Sequence, residues 1–349
     1  MIHSLFRATA RTPVLQKILV LPMVLLVLAG CQPPAQKVAL FPYNLEDPYI
    51  RSLVEHIVDE TRNTFRLTLW DAQNSQVMQN EGIERAIAEG ADLLIVNPVD
   101  RLSAYTIILH AREHNIPLIF FNREPLRSDM QLWERVYYVG AKPVQSAELQ
   151  ADLVITLFGG DPPGLNHLDR DGDGRVQTII FKGEQGHQDA EIRTAGVLSA
   201  FEERNFPVEI LAIEVANWNT REAYEKSLPL LETYGDTVEL IISNNDAMAL
   251  GVIQRLHDMG LSPVPGENGQ ISPESPGWIP LVGIDGIDEA VQAIRQGYLY
   301  GTVLNDSANM ARAISELAKS ILSESPEAPL DPPLEEDRYI WIDYQPFIH

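Results

Sequence analysis

The sequence predicts an α/β protein made of two doubly wound domains, each a parallel sheet flanked by helices. Three observations lead there. The chain has 349 residues, enough for two ordinary domains with sizeable cores. Short apolar runs alternate with longer segments of helical spacing at a repeat of about thirty residues, the length a parallel crossover unit needs. The alternation also runs in two successive series along the chain.

In the first series, KVALFP (37–42) reads as a buried strand. Residues 49–63 carry Ile50, Leu53, Val54, Ile57 and Val58 at helical spacing. A strand over 65–70 and a helix over 77–89, ending at Gly90, follow. LLIV (93–96) is a continuous apolar strand, 102–114 a helix, and 117–121 another strand. The second series opens with a helix over 147–158. Strands are expected at 176–181, 209–215, 240–243 and 281–284, separated by helices at 190–203, 221–234 and 247–259. Residues 159–174, 266–280 and 324–336 are rich in Gly, Pro, Ser or acidic residues and read as surface loops.

The first thirty residues differ from the rest. Arg7, Arg11 and Lys17 lead an apolar run at 18–28 that is too short for a comfortable membrane span and suits a secretory signal. The tetrapeptide Leu28-Ala29-Gly30-Cys31 resembles the lipobox of bacterial lipoproteins, in which the Cys is acylated and becomes the first residue. Cys31 is the single cysteine, so no intrachain disulfide is available to it. A cleaved signal with an incidental Cys, or a short anchor helix, are the other readings. Lipid on Cys31 would hold the protein at a membrane, outside the cytoplasm. Loss of residues 1–30 moves the formal charge from −23 to −26. That balance excludes a nucleic-acid binder, which needs a basic footprint.

DRDGDGRVQTII (169–180) has the alternating acids and the glycine of a calcium loop. The twelfth position, where a bidentate Glu belongs, is Ile180. Either the loop is an acidic turn, or its last carboxylate comes from elsewhere in the chain.

Strand ends carry the remaining signal, because ligands of open α/β sheets bind beyond the carboxyl ends of the strands. Asn122 follows one strand. His187, Asp189 and Arg193 follow another, with Asp189 and Arg193 at i,i+4 spacing. Trp218, Asn245, Asp285 and Asn305 follow the next four. Each alone is an ordinary cap or turn residue. In register, they suit a neutral polyol, with carboxylates and amides for its hydroxyls and an aromatic face for its C–H face. No glycine-rich phosphate cradle follows the first strand, which argues against a nucleotide.

FFNREP (120–125), YYVG (137–140), DRDGDGRVQ (169–177), KGEQGHQDAEIRT (182–194), NNDAMALG (244–251), VGIDGIDEA (282–290) and GTVLND (301–306) lie in order along the chain. In these stretches the chain, from about 37 to 344, resembles the periplasmic galactose/glucose-binding proteins of bacteria, which have the type I periplasmic-binding-protein fold. The resemblance implies two lobes joined by a three-strand hinge, near Gly140, near 305–307 and near 339–343. It divides the chain into a signal (1–30), a linker (31–36), a first lobe (37–140 with 307–340) and a second lobe (141–306 with 341–349). Sugar-hydroxyl contacts fall on Asn122, His187, Asp189, Arg193, Asn245, Asp285 and Asn305. Trp218 matches the aromatic that stacks on the sugar, Tyr49 the ring on its other face, and Asp47 a carboxylate at the sugar's C4 region.

The same resemblance implies a structural calcium ion held in a nine-residue loop. Asp169, Asp171 and Asp173 would bind through side chains, Arg175 through its carbonyl, Gln177 through its amide oxygen, and Glu239 would close the site. It implies no catalysis. The expected function is a monomeric, lipid-anchored binding protein for D-galactose or D-glucose that closes on its sugar and feeds an ABC importer permease. The alternatives are a sensor that presents its closed form to a chemoreceptor or sensor kinase, as in chemotaxis, and a binder of another monosaccharide.

Overall fold

A computed structural model describes residues 35–159, 164–266, 268–323 and 329–348. The signal and lipobox expectations, Cys31 included, fall outside these residues. The described chain forms two six-stranded sheets.

The first half begins with β1 (Lys37–Phe41), α1 (Pro48–Thr61), β2 (Arg66–Leu69), α2 (Gln76–Ala88) and β3 (Leu93–Val96). It continues with α3 (Ala104–Glu113), β4 (Leu118–Phe121), the one-turn α4 (Arg127–Met130), β5 (Val136–Gly140) and α5 (Pro143–Leu157). Then come β6 (Val176–Lys182), α6 (Gln188–Glu203), β7 (Val208–Val215), α7 (Thr220–Tyr234), β8 (Leu240–Ser243) and α8 (Asp246–Asp258). The chain closes with β9 (Leu281–Asp285), α9 (Asp288–Gln296), β10 (Gly301–Leu304), α10 (Ser307–Leu322), β11 (Tyr339–Trp341) and β12 (Gln345–Ile348).

The sheets run β11-β5-β4-β3-β1-β2 and β12-β10-β9-β8-β6-β7. The first is parallel throughout, while β12 joins β10 antiparallel at the edge of the second. The central strands β3, β4, β8 and β9 are buried along their whole length, as expected for strands covered on both faces. The outer strands β2 and β7 keep exposed positions. Among the described residues no helix is long and apolar enough to cross a membrane.

Three connections join the two sheets: 141–142 from β5 to α5, 305–306 from β10 to α10, and 342–344 from β11 to β12. Helix α10 leaves the second sheet and packs on α1 of the first lobe. The boundary expected at 340/341 shifts by a residue, because Trp341 still pairs with Gly140 in the first sheet.

The structure adds β5, α4, α9, α10, β11 and β12 to the elements read from the sequence. It also corrects the 266–280 loop. Ile271, Trp278 and Ile279 in that segment are buried. The Trp278 indole N–H donates to the Gly297 carbonyl at 3.0 Å, just past the end of α9. Glycine, proline and serine set its backbone, but three large apolar side chains anchor it to the core, so it is a packed flap and not a free surface loop.

Candidate binding cleft and metal loop

The carboxyl ends of the strands face one another across the three connections, and the residues that follow them wall a small cavity. Asp47, Tyr49, Asn122, His187, Asp189, Arg193, Trp218, Asn245 and Asp285 all line it. Asn305 does not. It lies behind the wall, 3 % exposed, with its backbone N–H donating to the Asp285 carbonyl at 3.0 Å. Tyr43, Ile50 and Arg123 also line the cavity. The sequence carried a signal for two of these. Arg123 directly follows Asn122, and Tyr43 lies two residues beyond β1.

In the first lobe, Asp47 caps α1. Its Oδ1 accepts the backbone N–H groups of Tyr49 (2.9 Å) and Ile50 (3.2 Å), and Pro48 starts the helix. Its Oδ2 accepts the Tyr43 hydroxyl at 2.5 Å. Arg123 lies over the Tyr43 ring, 3.7 Å from its centroid, and donates to the Val99 carbonyl. It reaches across the cleft to within 3.9 Å of Glu184, and Gln188 donates back to Glu124 at 3.3 Å. The two lobes therefore touch in this structure.

In the second lobe, His187 caps α6 and its Nδ1 accepts the Asp189 N–H at 3.2 Å. Arg193, one turn later, donates to the Asn244 carbonyl (2.7 Å) and the Tyr344 hydroxyl (3.0 Å), and lies 3.9 Å from Asp285. The Trp218 ring packs edge-on to His187, centroids 5.3 Å apart, with the Arg193 guanidinium 5.7 Å from its centroid. Asn245 caps α8 through Met248 and donates to the Trp218 carbonyl at 3.3 Å.

Burial controls the charges here. It pushes the His187 imidazole down to about 2, helped by Arg123, Arg193 and Arg101, so His187 is neutral and its Nδ1 is free to accept. Burial raises the Asp285 carboxyl well above the ordinary range and raises Asp189 too, against the pull of Arg193 on both. Burial would lower Arg193, yet Tyr344, Asp285 and Asp189 hold it above the usual value. Three buried polar atoms at this site have no protein partner: Arg193 Nε, Trp218 Nε1 and Asn305 Oδ1. Buried polar groups are normally satisfied, so the Arg193 and Trp218 N–H groups, both on residues lining the cavity, are arranged to donate hydrogen bonds to a polar ligand. A roomier groove beside the 264–280 segment, lined by Ile271, Trp278 and Tyr300, gathers no comparable set of groups.

The acidic loop lies before β6. Asp169, Asp171 and Glu239 bring carboxylate oxygens within 4.8 Å of one another. Asp169 accepts the N–H groups of Gly172 (2.9 Å) and Gly174 (3.1 Å), and Asp173 accepts that of Arg175 (2.8 Å) and the Gln177 amide (3.0 Å). Glu239 reaches the loop through the Arg170 N–H at 2.5 Å. Gln177 Oε1 and Glu239 Oε2 are buried and have no partner. Ile180 lies inside β6 and is fully buried.

Two lobes with a polar cavity between the carboxyl ends of their sheets define a solute-binding protein. The chain belongs to the periplasmic binding protein domain family, whose model matches residues 38–326. It is 33 % identical over 282 residues to the D-galactose/methyl-galactoside binding periplasmic protein of Haemophilus influenzae, covering 80 % of this chain and 79 % of that one. Among solved structures it resembles a solute binding protein of Bacillus halodurans with bound myo-inositol (TM-score 0.71, 23 % identity, 90 % of this chain and 94 % of the other). A solute binding protein of Actinobacillus succinogenes with bound D-allose matches similarly (TM-score 0.72, 22 % identity, 90 % and 97 %). These two likenesses show the fold. The family is one of solute-binding proteins, not of enzymes.

Proposed function

We propose that this chain is the extracytoplasmic binding protein of an ABC importer for D-galactose or D-glucose, tethered by lipid on Cys31. The observation that carries the reading is the convergence of nine residues, from both lobes, on one buried polar cavity. The relative from Haemophilus influenzae supports the choice of hexose.

In this reading Asn122, His187, Asp189, Arg193, Asn245, Asp285 and Asp47 exchange hydrogen bonds with the sugar hydroxyls. Trp218 from the second lobe and Tyr49 from the first cover its apolar faces, and Asn305 supports Asp285 from behind. Arg123 joins the first-lobe set. The sugar contacts both lobes at once, so its binding free energy favours the closed arrangement over an open one. Direct contacts between the lobes are few and partly exposed, as with Glu184, which is 50 % exposed in its pair with Arg123. At 3.9 Å and with Glu184 half exposed, that pair is long and screened from one side, so in this reading the ligand's contacts and not the latch decide closure.

The donor set of the acidic loop suits calcium: hard oxygen ligands only, with two buried oxygens awaiting a partner. Asp169, Asp171, Asp173, Gln177 and Glu239 would supply side-chain oxygens and Arg175 its carbonyl. The ion would tie the loop to the residue preceding β8, which is a structural role.

The test is a tryptophan-fluorescence titration of the chain from residue 32, in calcium, with D-galactose, D-glucose and D-xylose. Saturation by a hexose at micromolar concentration supports the reading and ranks the two sugars. Saturation by the pentose alone, or by none of the three from a folded protein, overturns it.

A further inference from the structure

Asn122 and Asp285 occupy equivalent places in the two lobes. β4 and β9 are each the third strand from the edge at which β11 or β12 is added, and Asn122 follows the one while Asp285 ends the other. Both have backbone in the left-handed region, φ 59° for Asn122 and 124° for Asp285. Asn tolerates the first; the second is well outside the wells an L-residue prefers. Such conformations persist only where the surroundings enforce them.

Each is held by a polar side chain that does not line the cavity. In the first lobe, Tyr138 on β5 is 1 % exposed and its hydroxyl donates to the Asn122 carbonyl at 2.8 Å. In the second, Asp246 is 0 % exposed. Its Oδ2 accepts the N–H groups of Gly286 (2.6 Å) and Ile287 (3.2 Å), the two residues after Asp285, and its Oδ1 accepts the Thr302 hydroxyl (2.7 Å). Each of these side chains also passes a glycine that leaves it room. A Cβ on Gly140 would lie 2.0 Å from the Tyr138 hydroxyl, and one on Gly283 would lie 2.0 Å from Asp246 Oδ1. The same three parts recur in both lobes: a contact residue with left-handed backbone, a buried polar pin, and a glycine beside the pin.

We propose that Tyr138 and Asp246 are positioning residues that set the sugar affinity by fixing the backbone of Asn122 and Asp285. This rests on the hexose reading above. Without its pin, a contact residue relaxes toward ordinary φ, and only the fraction of molecules in the competent backbone binds. If that fraction falls to about a tenth, the apparent Kd rises ~10-fold.

The experiment is a double-mutant cycle read by calorimetric titration of the secreted chain with D-galactose and D-glucose. Binding weaker than millimolar is read from the sugar-dependent shift of the melting temperature. Tyr138→Phe, which removes one hydroxyl, is expected to raise Kd ~5- to 30-fold. In an Asn122→Ala background the same change is expected to add less than ~2-fold, because its effect runs through Asn122. Gly140→Ala, which displaces the pin, is expected to match Tyr138→Phe. Asp246→Ala should behave likewise against Asp285→Ala. If Asp246→Ala does not fold, the Tyr138 cycle decides. A purely structural role would lower the melting temperature of the ligand-free protein and leave Kd within two-fold. That result, or a Tyr138→Phe effect as large without Asn122 as with it, overturns the proposal. Wild-type protein that binds neither sugar overturns the hexose reading, and the affinity role of the pins falls with it.

Discussion

His187 shows what burial does to a single side chain. In this structure it is pushed down to about 2 by desolvation and by the guanidinium groups of Arg123, Arg193 and Arg101. In an open cleft or an unfolded chain an imidazole titrates near 6.5. If the cleft closes on its sugar as proposed, the closed form binds fewer protons below that value, and closure becomes less favourable as pH falls from 6.5 toward 2. Asp189 and Asp285, whose carboxyls are raised by burial, push in the opposite direction, so the His187 contribution must be isolated by comparison. The ratio of Kd for wild type to Kd for His187→Gln is expected to rise by about an order of magnitude between pH 7 and pH 5. A ratio independent of pH would show that His187 does not change environment on closure. Arg193 makes a second case. It donates to Asn244 and Tyr344 while facing Asp285, a fork geometry that an ammonium cannot reproduce. Arg193→Lys is expected to weaken sugar binding ~100-fold, a loss of about 3 kcal/mol read by calorimetry.

The element that joins fold and site most directly is α1. Asp47 both caps the helix and faces the cavity. The two roles separate by substitution. Asp47→Ala removes the acceptor for Tyr49 and Ile50, costing about 1 kcal/mol of stability and lowering the melting temperature by ~1–2 °C for a chain of this size. Asp47→Asn keeps a capping oxygen and is expected to melt near the wild type while binding sugar at least ~10-fold more weakly. Wild-type affinity in Asp47→Asn would reduce Asp47 to a cap. Legibility in the sequence also differs by element. LLIV and LIFF, fully buried on both faces, declare themselves as strands, and the structure ends them within a residue of the expectation. β11 and β12 do not. They are three and four residues long, β12 contains Pro346, and both are strands only because an edge is there to receive them. Helix α10 does carry apolar spacing, at Met310, Ala311, Ile314, Leu317 and Ala318, so its signal is present in the sequence.

At the scale of the molecule, Asp169 and Asp171 lie 70 and 68 positions before Glu239 in the chain but share one group of carboxylate oxygens with it. Burial raises the Glu239 carboxyl, and the neighbouring Asp169 and Asp171 charges add to that. A divalent cation would relieve this repulsion. EDTA is expected to lower the melting temperature of the wild type by several degrees at pH 7, consistent with ligand linkage of a few kcal/mol. The drop is expected to shrink as pH falls and Glu239, whose carboxyl is raised by burial, takes up a proton and stops holding the ion. Glu239→Gln should lose most of the EDTA response. An unchanged melt in EDTA would leave the loop as an acidic turn.

By itself the sequence determined the α/β class, the order of the buried strands and most of the residues that follow them. It could do so because apolar runs and helical spacing are local properties, and because strand ends are where such folds place their polar ligands. The tertiary structure decided what depends on distant pairing. It brought Tyr43 and Arg123 to the cavity wall, set Asn305 behind that wall, folded the flap at 266–280 onto the core, and placed Tyr138 and Asp246 behind the contacts they hold. Tyr43 and Arg123 at least stand next to strand ends, but the other positions have no periodicity or spacing of their own. Each takes its role from the side chain it meets across the fold.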